Sequence, residues 1–216
     1  RQYDGYRFTP EKGFTPMFNP FSVLNALAKS RFGDYWFASG TPTFLVEILK
    51  KTNFDLRELD GIEVSSASLS DDRANISNPV PMIYQSGYLT IKSFDQRFRT
   101  YTLGFPNEEV KYGFLNFVAP FYTPVASTDT TFYIGKFVHE LETGETEAFL
   151  TRLSCFFADF PYELNEKTER HYQVVFYLVF KLMGQFTQAE VRTAIGRADA
   201  VVKLSLIHIS EPTRPY

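Results

Sequence analysis

Few side chains in this sequence combine a reactive type with a suggestive spacing, and the clearest lie near its end. Ala189 to Lys203 reads AEVRTAIGRADAVVK: two short β-prone runs flank Ile195-Gly196, and the second bears one acid, Asp199, between Ala198 and Ala200. A carboxylate set on a strand by a tight hairpin can begin a metal site, because magnesium wants hard oxygen ligands and takes few of them from protein. Glu169, near the start of the long helical stretch before the hairpin, could orient metal-bound water. Such a site also needs a Glu-x-Lys on a following strand, the Glu as second ligand and the Lys to stabilise the developing charge. No Glu-x-Lys follows Lys203. In the plainer alternative, Asp199 is an ordinary solvent-facing strand residue.

The remaining reactive residue types suggest less. His139 lies on an amphipathic helical stretch beside Glu140 and is expected to face solvent, and His171, close to Glu169, reads as a structural residue. Cys155 has Arg152 one helical turn earlier and no other cation near it in sequence, so a buried structural thiol is expected. With one cysteine, no disulfide closes within the chain and no thiolate zinc cluster assembles, which fits a reducing cytoplasm. A net charge of -3 gives no global case for nucleic-acid or membrane binding, so any such site must be local. The longest apolar run, Val174 to Phe180, falls far short of the roughly 20 residues that cross a bilayer.

These candidates depend on the elements that hold them. An apolar fraction of 44% supports a packed core, and 23 Phe with 13 Tyr favours aromatic contacts between helices. Asn19-Pro20 should cap a helix with Val23, Leu24, Leu27 and Ala28 on one face. Thr41-Pro42 should start another, running to about Lys51, with Phe44, Leu45, Ile48 and Leu49 buried. A polar connecting region follows, in which only Ile62-Glu63-Val64 suggests a strand. Short helix, hairpin (Tyr88 to Ile91, Thr100 to Leu103) and a helix from Pro106 then suggest a winged-helix-like module, with Val110, Phe114, Leu115 and Phe117 inside the last helix. A face gathering Lys92, Arg97, Arg99 and Lys111 would favour nucleic-acid binding there. After a Pro, Thr and Ser loop come three helical stretches, of which the last, about 166–183, should be the central buried one. The expected fold class is α+β, mostly α.

Tyr3-Asp4-Gly5-Tyr6, Asn19-Pro20-Phe21-Ser22, Tyr35-Trp36-Phe37 with Gly40-Thr41-Pro42, Tyr84 to Leu89, Pro161-Tyr162-Glu163 and Gly196 to Asp199 together resemble a prokaryotic family. That family joins an AAA-ATPase-like domain to a C-terminal PD-(D/E)XK nuclease-superfamily domain. The resemblance implies the end of an ATPase-like region at 1–55, a connecting region with the winged-helix-like module at 56–125, and a truncated nuclease-like domain at 126–203. It places Asp199 at the first metal-binding acid and Glu169 at the helix acid, and it implies Mg2+, ATP, and DNA or RNA for the parent protein. The chain contains no G-x-x-x-x-G-K-[ST] phosphate loop and opens on Arg1, as expected of a fragment. Leu204 to Arg214, LSLIHISEPTR, resembles translated sequencing-adapter sequence, so 204–216 is expected to be an artefactual tail, His208 included. The fragment is expected to be inactive, and a non-catalytic interaction or nucleic-acid-binding module is the alternative.

Overall fold

The computed structural model describes residues 2–10, 15–39, 43–52, 54–69, 78–123, 127–158, 169–184, 190–193 and 200–203. They form two compact units, Arg1–Ser127 and Thr128–Tyr216. The fold is mostly helical with a small antiparallel sheet, an α+β arrangement. Among the described residues no helix is long and apolar enough to cross a membrane.

In the N-terminal unit, α1 (Pro20–Lys29) begins where its sequence grammar says it should. The Ser22 amide donates to Asn19 Oδ1 at 3.2 Å, Pro20 fills the first turn, and Ser30 closes the helix in the left-handed conformation. Its apolar face, however, is not core. Leu24 and Leu27 are 66% and 72% exposed, and the helix buries Ser22 instead. α2 (Thr43–Lys51) buries Leu45, Val46 and Leu49, while Phe44, expected inside, faces solvent.

The sheet has the order β1-β3-β2, with β1 (Ile62–Ser65), β2 (Thr90–Asp95) and β3 (Thr100–Gly104) all antiparallel. The hairpin expected from the sequence is therefore three-stranded: Ile62 pairs with Leu103 and Ser65 with Thr100. A bulge between Ile91 and Ser93 shifts the register of β2. The N-terminal segment runs beside β2, where the Arg7 amide donates to Thr90 Oγ1 at 2.6 Å and the Ile91 amide donates to the Arg7 carbonyl at 3.4 Å. Two short helices, α3 (Ser66–Leu69) and α4 (Val80–Gln85), flank this region. α5 (Glu108–Tyr122) is capped by Asn107, whose Oδ1 accepts from the Val110 amide at 3.0 Å. It buries Val110, Phe114, Leu115, Val118 and Ala119, with Phe117 only half-buried. Pro120 lacks the amide that would bond one turn back, and the helix stops within a turn of it.

The C-terminal unit holds α6 (Ser127–Glu142), α7 (Thr146–Ala158) and α8 (Glu169–Met183), then a hairpin of β4 (Glu190–Thr193) and β5 (Ala200–Lys203). Gly144, at φ +77°, turns the chain between α6 and α7. Aromatic rings join the three helices: Phe137 meets Phe149 at 5.7 Å and Phe156 at 5.9 Å, and Phe149 meets Phe180 at 6.5 Å, centroid to centroid. α8 buries almost everything from Val174 to Met183, as its continuous apolarity requires.

Candidate functional site

Of the two candidate nuclease residues, only the backbone of Glu169 falls among the described residues. Glu169 is the first residue of α8, and β4 packs against that helix. The hairpin is in register from Glu190 opposite Lys203 to Thr193 opposite Ala200. Asp199, which directly precedes β5, lies outside the described residues, as do the side chain of Glu169 and that of His171. The backbone thus sets a long buried helix followed by an antiparallel hairpin. Among the described residues, no group of three or more His, Cys, Asp or Glu side chains could hold a metal ion.

That order of helix and hairpin coincides with a family likeness. Residues 167–216 match the PD-(D/E)XK nuclease superfamily. The nuclease-like segment therefore includes α8, the hairpin and Asp199, and the match continues through Leu204 to Tyr216. A protein of Azotobacter chroococcum mcd 1, described as an uncharacterized protein in the vnfD 5' region, is 30% identical over 208 residues. The match covers 93% of this chain but only 39% of that relative's length. No solved structure matches the chain.

Outside the nuclease-like segment, the motif residues of the N-terminal unit meet at a carboxylate that sequence reasoning missed. Glu109, in the first turn of α5, is 1% exposed. Its Oε1 accepts from the Tyr35 amide (2.7 Å), the Trp36 amide (2.9 Å) and Ser22 Oγ (3.0 Å). These three donors come from α1 and the 3-10 turn at Trp36–Ser39, so one oxygen ties both to α5. Burial pushes the Glu109 carboxyl above the ordinary carboxylate range, against the pull of the three donors. Its Oε2 is buried without a partner among the described residues, and burial pushes the nearby Tyr6 hydroxyl up to about 12. The N-terminal segment is pinned to the same place: Asn107 Nδ2 donates to the Asp4 carbonyl at 2.8 Å, and the Asn19 amide donates to the Tyr3 carbonyl at 2.8 Å. An acid at the second position of a helix looks in sequence like a capping or dipole residue, so nothing local marked Glu109 as buried.

Several sequence expectations change at this level. Cys155 is exposed rather than buried, and Arg152 does not serve it, because its Nε and a terminal nitrogen meet Glu140 Oε1 at 2.6 Å. His139 is exposed, as expected. The basic face divides: Lys111 pairs with Asp60 at 3.1 Å near Lys92, while Arg97 stacks over Phe98 in the β2–β3 turn, whose amides at Arg97 and Phe98 bond Asp95.

Proposed function

We propose that the C-terminal unit holds the first part of a magnesium-dependent phosphodiesterase site acting on nucleic acid, DNA or RNA. The observation that carries the reading is the order of parts within the matched residues: buried α8, then the β4–β5 hairpin, with Asp199 directly before its second strand in sequence. Asp199 and Glu169 are hard oxygen donors, the chemistry that magnesium accepts, so the residues present fit the ion. Asp199 would hold it and Glu169 would orient the attacking water. Magnesium would supply a Lewis acid for that water and for the charge that develops at phosphorus. A Lys to stabilise this charge is not paired with a Glu in the residues after Lys203, so the 216-residue chain is expected to be inert on its own.

The chain spans 39% of the length of the curated relative it matches. In our reading the longer polypeptide also contains an AAA-ATPase-like part. The present residues do not fit ATP, because they include no phosphate loop, and no nucleotide step is derived from them. Within the N-terminal unit, α4, the β2–β3 hairpin and α5 would act as a winged-helix-like platform. Magnesium-dependent cleavage of labelled DNA and RNA by a full-length protein carrying these residues tests the reading. Cleavage should fall to background in Asp199→Ala with an unchanged melting temperature. Cleavage that survives Asp199→Ala would sink the assignment, and turnover by the 216-residue chain itself would sink its inertness.

A non-catalytic binding role is the second reading, favoured by one observation: Arg7, Lys92 and Lys111 gather on the N-terminal unit.

A further inference from the structure

We propose that Arg7, Lys92 and Lys111 form a phosphate-binding site at the edge of the β1-β3-β2 sheet, which takes a backbone phosphate of nucleic acid. The inference rests on the nucleic-acid partner proposed above, but it uses none of the nuclease residues. The place is built by four segments. The N-terminal segment brings Arg7 alongside β2 through the Thr90 and Ile91 bonds, β2 supplies Lys92, α5 supplies Lys111, and the turn before β1 supplies Asp60. Gly104 on β3 makes room for them: a Cβ there would lie 2.9 Å from Asp60 Oδ1 and 3.1 Å from Lys92 Cε.

The charges in this place are not balanced. Lys111 has Asp60 as its partner at 3.1 Å. Lys92 has no carboxylate bonded to its ammonium among the described residues, and Arg7 Nε is buried without an acceptor there. The Lys92 pKa is lowered, first by loss of water around it and then by Lys111 and Arg7, although Asp60 and Asp4 work the other way. Three cations thus share a corner with two carboxylates, and of the three only Lys111 has a bonded carboxylate among the described residues. An anion there removes the repulsion among the three cations. A tetrahedral phosphate oxygen suits a guanidinium and an ammonium together, and the exposure of Lys92 leaves the site open from solvent.

The test is binding of a labelled duplex to the full 216-residue chain in EDTA over a salt series, with inorganic phosphate in a parallel thermal-shift titration. Lys92→Gln and Arg7→Gln should each weaken binding to all sequences alike and lower the slope of log affinity against log salt by about one. Lys92→Gln changes an exposed side chain and should melt as the wild type does, which guards against loss of folding. Asp199→Ala should bind as the wild type does. If phosphate stabilises the wild type but not Lys92→Gln, and duplex binding is unaffected by either variant, the site stands with a free phosphate group as its ligand. Equal affinity and equal salt slope in wild type and both variants, with no phosphate-induced stabilisation, would overturn the site. That result would leave the cleavage test of Asp199 untouched.

Discussion

The two units hold themselves together by different means. The N-terminal unit is organised by directional polar contacts: Glu109 accepts from three donors on two other segments, and Asn107 and Asn19 hold the strand-like N-terminal segment. The C-terminal unit relies on aromatic rings between α6, α7 and α8, with Glu140 and Arg152 as a half-buried polar tie between α6 and α7. Directional contacts fail when one atom is displaced, whereas ring packing degrades gradually with volume. The difference teaches where to look for chemistry. Most motif residues of the N-terminal unit are explained by its architecture, so the chemistry is sought in the nuclease-like segment of the C-terminal unit.

The contrast breaks most sharply at Gly5. It has φ +100°, and a Cβ would lie 2.0 Å from the Pro106 carbonyl oxygen, which is backbone and cannot swing aside. Gly5→Ala should cost more than about 3 kcal/mol and detach the N-terminal segment, as read by chemical denaturation and by proteolysis near residue 5. A variant as stable as the wild type would mean that the segment is not integral to the unit.

Glu109→Ala comes next, at about 2 to 3 kcal/mol, because it strands the Ser22 hydroxyl and two amides. Glu109→Gln keeps an acceptor and should cost less. The pH dependence follows from the raised carboxyl. Folding favours the protonated form, so this contribution is complete below the unfolded-state value near about 4.3 and is lost as pH rises through the higher folded value. Thermal melts across the acidic range should show the wild type losing stability relative to Glu109→Gln as pH rises. Parallel profiles would show that burial does not raise the carboxyl.

In the C-terminal unit, Arg152→Ala should cost only about 1 to 2 kcal/mol. Glu140 is 7% exposed but Arg152 is 34% exposed, so water partly compensates the lost partner. A loss as large as that of Glu109→Ala would erase the distinction between the units. The smallest effect is expected at Leu24→Lys on α1, within about 0.5 kcal/mol, since the side chain is already in water. A large loss there would show that the apolar face of α1 is covered in solution.

Legibility followed the range of the interactions. The cap at Asn19 was readable because donor and acceptor lie three residues apart. The order of α8 and hairpin was readable because periodicity and turn chemistry are local. Burial was not local. Leu24, Leu27 and Phe44 have the spacing of core residues, yet among the described residues they are exposed. Cys155 lies on the outward side of α7 although its neighbours are apolar.

The amino-acid sequence by itself determined the helices, their caps, the aromatic character of the second unit and the candidate acid Asp199. Only the tertiary structure decided that β1 completes the sheet, that Glu109 is buried, and that Arg7 joins Lys92 and Lys111. The Glu109 donors are 73 to 87 residues away and Arg7 lies 83 residues from Thr90. Contacts at that separation depend on how distant segments are brought together, and neither periodicity nor spacing contains that information.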